Sequence, residues 1–185
     1  ENFEINITDN GRKFKGEMEF EEIIRKRTSV RKFSNKKLEK EKLDKILEAG
    51  RLAPTAKNNQ PIKIYAIESK EGIEKIDKLS KWRYGAVTIL IVCGNKNEAY
   101  HKGDYTTAEM DSCIVATHMM LEATNLNVDN IWVESFDEKI LREEFDIPSE
   151  YTPFLLMPLG YKTEDCPMNP LHNKRKSLEE LVEYK

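Results

Sequence analysis

The spacing of apolar and polar residues along the chain predicts alternating helices and strands. Apolar residues that recur three and four positions apart are typical of amphipathic helices, whereas alternating or continuous β-branched runs are typical of strands. The helical pattern covers residues 20–27, 38–52, 71–81, 107–124, 137–145 and 177–182. The strand pattern covers residues 62–67, 87–92, 128–133 and 154–161. This order predicts a mixed α/β or α+β sandwich around one sheet.

Three of these elements have features that predict their place in the fold. The strand at 87–92 is continuously apolar, so we expect it to be central and buried on both faces. The helix at 107–124 is apolar on nearly every side, which predicts a buried core helix. Pro158 cannot donate a ladder hydrogen bond, so it predicts that the strand at 154–161 lies at a sheet edge or contains a bulge.

The first seventeen residues differ from the rest of the chain. They are rich in Asn, Asp, Lys and Glu and show no periodicity, and Met18 follows them as a natural start. We therefore interpret residues 1–17 as an extension or a cloning remnant, and residues 18–185 as one domain. A chain of 185 residues is long enough to bury one sizeable core.

Composition and charge exclude several classes of partner. The net charge of −3 argues against nucleic acid and anionic membranes as partners. The longest apolar run, Ala86 to Cys93, is far shorter than a membrane span, and residues 1–17 lack the apolar core of a signal peptide. A cytoplasmic location is therefore expected. Three separated cysteines and three scattered histidines predict neither a disulfide framework nor a metal site.

A basic segment after the first helix is the strongest candidate for ligand binding. Arg27 and Arg31 flank the hydroxyl residues Thr28 and Ser29. Guanidinium groups together with hydroxyl donors are what a phosphate dianion requires. The alternative is a solvated basic face that binds nothing. The familiar glycine-rich motif Gly-x-Gly-x-x-Gly, the Walker loop and the common hydrolase and zinc-protease motifs are absent from the sequence.

Two further segments are candidates for the same site. The loop from Ala53 to Pro61 places amide side chains after small residues, which suits hydrogen bonding to a polyol or to the edge of a flat ring. The run Lys174-Arg175-Lys176 provides a second basic cluster just before the last helix. The alternatives are an ordinary helix-to-strand connection for the loop and a surface charge run for the basic cluster.

The order of these motifs resembles the FMN-dependent nitroreductase family. Arg-x-Ser-x-Arg-x-Phe is followed by Ala-Pro-Thr-x-x-Asn-x-Gln-Pro, then Leu-Gly-Tyr, then basic residues before Leu-Glu-Glu-Leu-Val. The resemblance runs from about Met18 to Lys185. It implies a homodimeric α+β sandwich, a mixed sheet between helices, with an FMN bound at each end of the subunit interface.

The resemblance also implies roles for individual residues. The segment at Arg27 would hold the phosphate and ribityl end of FMN, and the basic residues near Arg175 would add phosphate charge. The loop before Pro61 would approach the ring and ribityl from the partner subunit, and the strand end at Gly160 would pass near the ring. The implied cofactor-binding residues are Arg27, Thr28, Ser29, Arg31, Pro54, Thr55, Ala56, Asn58, Gln60, Leu159, Gly160, Lys174 and Arg175.

The activity implied by the resemblance is reduction of a small acceptor by NADH or NADPH through the flavin. Nitroaromatics, quinones and flavins are the implied acceptors, in a ping-pong hydride mechanism in which flavin N5, rather than a catalytic side chain, carries the chemistry. Two alternatives are another flavin reaction, namely reductive dehalogenation or flavin cleavage, and a non-catalytic flavin-binding module. Ile62 stands where many relatives carry Trp, and only residues 71–84 and 94–104 are available as inserts, which predicts a more open acceptor pocket.

Overall fold

The computed structural model describes residues 4–7, 12–15 and 18–185. Strand β1 (Glu4–Ile7) pairs antiparallel with β2 (Arg12–Lys15) within the predicted extension. The other residues of that extension lie outside the described residues. Its role as an extension or a cloning remnant therefore stays a prediction.

The domain contains the helices and strands that the apolar spacing predicts, with ends that differ by a few residues. The helices are α1 (Phe20–Lys26), α2 (Lys40–Leu52), α3 (Lys70–Leu79), α4 (Ala108–Asn125), α5 (Glu138–Phe145) and α6 (Leu178–Leu181). The strands are β3 (Ile62–Ile67), β4 (Thr88–Asn95), β5 (His101–Lys102), β6 (Tyr105–Thr106), β7 (Asp129–Asn130) and β8 (Tyr151–Gly160). The predicted strand at 128–133 is shorter than expected, because only β7 and an isolated bridge from Val133 to Leu156 pair there.

The main sheet has the strand order β3-β4-β8-β7, and each neighbouring pair is antiparallel. One parallel bridge joins Ser29 to Asn130 beside β7, where the amide of Val30 donates to the carbonyl of Asn130 at 3.1 Å. The bridge is isolated and Ser29 belongs to no strand, so the four strands form an antiparallel sheet rather than the predicted mixed one. The bridge also places the basic segment that follows α1 at the β7 edge.

Helices cover both faces of this sheet, and this arrangement confirms the predicted α+β sandwich. Leu90 and Val92 of β4 belong to the core formed with α2 and α4, whereas Ile89 and Ile91 belong to the core formed with α3 and α5. Successive side chains of a strand point to opposite faces. The continuous apolar run of β4 follows from this arrangement, since both of its faces are buried.

Strand β8 lies inside the sheet, so the prediction of an edge position from Pro158 is wrong. The amide of Leu156 donates towards Val133, at 2.8 Å, and strand alternation puts the nitrogen of Pro158 on that same side. Regular pairing there is limited to β7 and the bridge at Val133, so a missing donor is tolerated. The strand does contain a bulge, the other outcome that Pro158 predicted, but the bulge lies at Phe154, because Val92 pairs with Leu155 and Cys93 pairs with Pro153.

Helix α4 is buried along one face rather than all around. Val115, Ala116 and Met119 are buried, whereas Met110 is 53% exposed. Gly50 of α2 permits a close approach to this helix, because a Cβ at that position would lie 2.8 Å from Cγ of Met119. Among the described residues, no helix is long and apolar enough to cross a membrane.

Candidate functional site

The first part of the site is the segment between α1 and the β7 edge. Helix α1 ends at Lys26, and the buried side chain of Val30 anchors the chain four residues later. The short connection therefore holds Arg27 and Ser29 in a half-buried position, with Arg27 Nη1 at 3.5 Å from Ser29 Oγ. Arg31 follows with an exposed side chain, and its Nη1 donates to the backbone oxygen of Ser29 at 3.3 Å.

The C-terminal basic run folds back to this segment. A ring nitrogen of His172, Nε2, lies 3.1 Å from the carbonyl oxygen of Arg25 at the end of α1. Arg175 Nη1 donates to the carbonyl of Lys174 at 2.7 Å and to that of Leu171 at 3.3 Å. Burial lowers the pKa of Arg27 below its ordinary value, and the positive charge of Arg175 lowers it further. We therefore define Arg27 and Arg175 as one basic cluster.

This basic cluster lacks the carboxylate partners that its neighbours have. Arg25 pairs with Glu21 at 2.7 Å, and Lys32 pairs with Asp165. Within residues 18–185, by contrast, Arg27 and Arg175 form no ion pair with a carboxylate. Like charges held together in a partly desolvated place are unfavourable by themselves. A phosphate dianion would neutralise them, and it would accept the charge-assisted hydrogen bonds that both guanidinium groups offer.

A cleft with aromatic walls lies beside Arg31. Its volume is about 270 Å³, and Arg31, Trp82, Tyr84, Ile131, Trp132, Val133, Glu134 and Ser135 line it. The indole nitrogen of Trp82 donates to Ser135 Oγ at 3.1 Å, and that of Trp132 donates to Glu134 Oε1 at 2.7 Å. Aromatic faces beside a cation suit a flat conjugated ring that carries negative charge on its edge. We call this space the aromatic cleft.

The connection that carries Trp82 and Tyr84 is held against the basic segment by its backbone. The amide of Phe33 donates to the carbonyl of Tyr84 at 2.8 Å. Gly85 has φ +88, and a Cβ there would lie 2.9 Å from the carbonyl oxygen of Phe33. Glycine at this position therefore allows the two segments to pass close to each other. That contact keeps Tyr84 and Arg31 on the same cleft.

The loop before β3 has an unusual and well-defined conformation. Lys57, Asn58 and Gln60 have φ values of +53, +56 and +50, in the left-handed region that side chains disfavour. The amide of Gln60 donates to Thr55 Oγ1 at 3.0 Å, and Asn59 Nδ2 donates to the carbonyl of Glu98 at 2.9 Å. Backbone strain of this kind persists only where the surroundings impose it, and it clusters at functional sites.

Within one chain, this loop and the basic cluster lie at opposite corners of the sheet. Ile62 begins β3 at one edge and pairs with Gly94, whereas Ser29 lies beyond β7 at the other edge. Four strand spacings, or about 19 Å, separate β3 from the segment of Ser29. Ser29 pairs with Asn130, Asn130 pairs with Leu159, and Leu159 pairs with Thr88, so these four residues lie in one row across the sheet. Thr88 and Gly94 are six residues apart on β4, which is about 20 Å along the strand. The diagonal separation is therefore about 25–30 Å.

Three further residues of the predicted set, Thr28, Leu159 and Gly160, lie near the β7 edge of the sheet. Leu159 and Gly160 pair with Asn130 and Asp129, so the strand end of β8 lies beside the basic segment. That this strand end passes near the flavin ring stays a prediction. The side chain of Leu159 is fully buried in the core, so only its backbone faces this edge. Thr28 lines a separate polar cavity of about 230 Å³ rather than the aromatic cleft.

Sequence reasoning missed most of the cleft. Trp82, Tyr84, Trp132, Glu134 and Ser135 were not singled out, because they come from two connections with no motif of their own. One signal was available, since the chain has only two tryptophans and both line the aromatic cleft. Large aromatic side chains in connections that are not buried often mark binding sites.

The chain is similar to a known protein family in both sequence and structure. The model of the nitroreductase family matches residues 24–87 and 78–161. A crystal structure of a nitroreductase family protein from Clostridium difficile 630 is 37% identical, covering 91% of this chain and 99% of that chain with a TM-score of 0.85. A nitroreductase family protein from Clostridium novyi NT is 27% identical, covering 80% of this chain and 87% of that chain with a TM-score of 0.74.

A curated relative also aligns with most of this chain. A candidate NADH dehydrogenase/NAD(P)H nitroreductase of Methanothermobacter thermautotrophicus is 29% identical over 157 residues, which are 80% of each chain. The region that the family model matches contains the basic segment, the strained loop before β3 and the strand end of β8. The chain belongs to the nitroreductase family.

Proposed function

We propose that this chain is an FMN-dependent oxidoreductase that takes electrons from NADH or NADPH and reduces a small acceptor. The acceptor class is a nitroaromatic, a quinone or a flavin. The observation that carries the proposal is the pair of guanidinium groups at Arg27 and Arg175, which lie together without a carboxylate partner among residues 18–185. The name of the Methanothermobacter relative, an NADH dehydrogenase/NAD(P)H nitroreductase, supports NAD(P)H as the electron source.

The residues fit FMN because they offer two different environments side by side. FMN joins a phosphate dianion to a flat ring through a polyol chain. Arg27, Ser29 and Arg175 would hold the phosphate, and the aromatic cleft would receive the ring. Arg31 lines the cleft, so we assign it to the edge of the ring rather than to the phosphate.

The position of the loop before β3 supports a homodimer. The loop lies about 25–30 Å from the basic cluster of its own chain, so it is too far away to complete that site. In the proposed two-fold dimer, the same loop of a second copy would lie at the site, and each dimer would have two equivalent sites. Pro54, Thr55, Ala56, Asn58 and Gln60 would then act on the FMN of the partner.

The chemistry divides between cofactor and protein. Bound FMN supplies two-electron redox chemistry that no amino-acid side chain provides. The guanidinium of Arg31 would stabilise negative charge at the ring edge, and the indoles of Trp82 and Trp132 would exclude water from one side of the cleft. NAD(P)H and the acceptor would use the open side in turn, which predicts ping-pong kinetics.

Reconstitution and anaerobic titration test the proposal. The purified chain is incubated with FMN, freed of unbound flavin, and titrated with NADH and with NADPH under argon. We expect FMN to be retained, its visible absorbance to be bleached by one or both nicotinamides, and the colour to return with a quinone or a nitroaromatic. No retention of FMN would exclude every flavin function, and retention without bleaching would leave a flavin-binding module.

Two other flavin reactions are distinguished by their products. Reductive dehalogenation would release halide from a halogenated phenol in the presence of NAD(P)H. Flavin cleavage would destroy the flavin spectrum irreversibly under oxygen. Return of the original FMN spectrum, with loss of the quinone or the nitroaromatic, is the result that the proposed oxidoreductase requires.

A further inference from the structure

The carboxylate of Asp111 lies directly beneath the strained loop. Asp111 is 1% exposed in the first turn of α4. Its Oδ1 accepts a hydrogen bond from the backbone amide of Ala56 at 2.9 Å, and its Oδ2 accepts one from Thr107 Oγ1 at 2.8 Å. One buried side chain therefore joins the start of α4 to the loop.

The bond to Ala56 acts where the backbone is most constrained. Ala56 opens the 3₁₀ turn Ala56–Asn58, and the next two residues, Lys57 and Asn58, have positive φ. A conformation of this cost persists only if neighbouring groups impose it. Asp111 supplies the buried constraint. Two other contacts hold the loop from its exposed side: Asn59 donates to the carbonyl of Glu98, and the ammonium of Lys57 lies 4.5 Å from the centroid of the Tyr100 ring.

The charge of Asp111 makes this contact more than ordinary packing. Within residues 18–185, Asp111 forms no ion pair. A buried carboxylate without a cation is costly unless hydrogen bonds and nearby dipoles compensate it. The positive end of the 18-residue helix α4 and the two donors provide that compensation.

We propose that Asp111 is a positioning residue that sets the loop conformation and, through it, the affinity of the partner subunit for FMN. The inference rests on the proposed function, because the loop acts on a flavin site only in that dimer. Asp111 does not line the aromatic cleft, and it does not line the cavity beside Thr55 and Gln60 of the loop, so it would not touch FMN. Its effect would pass entirely through Ala56.

Four variants isolate this contact. Asp111→Ala removes the acceptor from Ala56, and Ala56→Pro removes the donor, with Thr55 already in the extended conformation that precedes proline. Asp111→Asn keeps an acceptor for Ala56 and can donate to Thr107, so it should rescue the contact. Ser112→Ala is the matched control, because its buried hydroxyl donates to Ala108 at 2.7 Å in the same turn without reaching the loop.

Three measurements are made on each variant: hydrogen exchange at the loop amides of the apoprotein, thermal melting of the apoprotein, and the Kd for FMN. Asp111→Ala and Ala56→Pro should accelerate exchange in the loop and raise the Kd about tenfold or more, which is about 1.4 kcal/mol of binding. Asp111→Asn should stay within about twofold of the unmodified chain in Kd. Ser112→Ala should lower melting and leave the Kd unchanged.

Several results would overturn the inference. Faster loop exchange in Asp111→Ala with an unchanged Kd would show that the contact does not control FMN binding. An equal rise in Kd for Ser112→Ala would show that general stability of α4 is responsible. If Asp111→Ala does not fold, Asp111→Ser, whose hydroxyl is too short to reach the amide of Ala56, replaces it and decides between the same outcomes, because Ala56 itself is assigned to the FMN site. Failure of the unmodified chain to bind FMN would reject the proposed function itself, which an unchanged Kd in the variants would not.

Discussion

Arg27 and Arg175 come from opposite ends of the domain, and the charge of Arg175 lowers the pKa of the Arg27 guanidinium. Neither side chain has a carboxylate partner among residues 18–185, although Arg25 and Lys32 nearby are both paired. The arrangement does not stabilise the domain by itself. It is a favourable place for an anion, and the ligand-binding predictions below start from it.

Replacing Arg27 with Ala should weaken FMN binding much more than it lowers melting of the apoprotein. A charge-assisted hydrogen bond contributes about 1.5–3 kcal/mol, so we expect the Kd for FMN to rise about 10- to 150-fold. The apoprotein should lose little, since Arg27 forms no ion pair with a carboxylate among residues 18–185 and is repelled by Arg175. Flavin fluorescence gives the Kd, and calorimetry gives the melting temperature.

Arg25→Ala is the matched control for this change. Arg25 lies two residues earlier, is exposed, and pairs with Glu21 on α1. Its loss should leave the Kd for FMN nearly unchanged. Comparable weakening by both variants would indicate a general basic surface rather than a phosphate site.

FMN binding should quench the tryptophan fluorescence of the protein strongly. The two tryptophans of the chain, Trp82 and Trp132, both line the aromatic cleft, so a ring bound there lies against both indoles. Trp82→Phe and Trp132→Phe should each leave one emitting residue that FMN still quenches. Emission that stays constant while FMN binds would place the ring elsewhere.

Mixed dimers test whether each site uses the loop of the partner. Arg27→Ala damages the basic cluster, and Pro54→Glu places a carboxylate on the exposed loop. Each homodimer should bind FMN poorly. When the two variants are refolded together, half of the dimers are mixed and each has one intact site, so about a quarter of the original FMN sites should return.

Sedimentation and differential tagging establish that mixed dimers have formed. If they form and no FMN sites return, the loop and the basic cluster do not act across the interface. A monomeric protein that binds FMN fully would reject the dimeric site altogether.

The stability of the domain should fall at alkaline pH because of Cys93. The thiol is fully buried on β4, and burial raises its pKa to about 12 from an ordinary value of 9.0. The unfolded thiol ionises first, so the stability contributed by the neutral buried thiol is complete below pH 9 and is lost as the pH rises towards 12. Urea unfolding of the protein and of Cys93→Ala between these pH values measures the difference.

A parallel loss of stability in both proteins would mean that Cys93 makes no contribution to the pH dependence. A thiol reagent gives an independent check at pH 8. Cys113 and Cys166 are partly exposed and should react with it, whereas Cys93 should react only after unfolding.

The elements of the fold were largely predictable because each depends on local spacing. The capping box of Ser177 and Glu180 is present at the start of α6, and Ile62–Ile67 is a strand over the predicted residues. The position of β8 was not predictable in this way. Pro158 indicated an edge or a bulge, but whether a missing donor matters depends on the neighbouring segment. That segment forms strand pairs only over Asp129–Asn130 and a bridge at Val133.

The site was predictable only where a motif is contiguous in sequence. Arg27, Ser29 and Arg31 lie in one short segment, so their chemistry is visible in the sequence. In the aromatic cleft, Trp82 is hydrogen-bonded to Ser135, and beneath the loop before β3, Ala56 is hydrogen-bonded to Asp111. No local pattern links such distant residues. The FMN-binding roles of the thirteen implied residues stay predictions for the experiments above.

The sequence by itself determined the six helices of the domain and its longer strands, the nitroreductase resemblance and the positions that carry basic charge, because these follow from neighbouring residues. It did not predict the short strands β5 and β6. The tertiary structure decided which cations influence each other, since the charge of Arg175 lowers the pKa of Arg27 only when the C-terminal segment folds back against α1. It also separated the strained loop from the basic cluster by the width and length of the sheet. Distances across a sheet depend on strand order and register, which are properties of the folded chain rather than of any one segment.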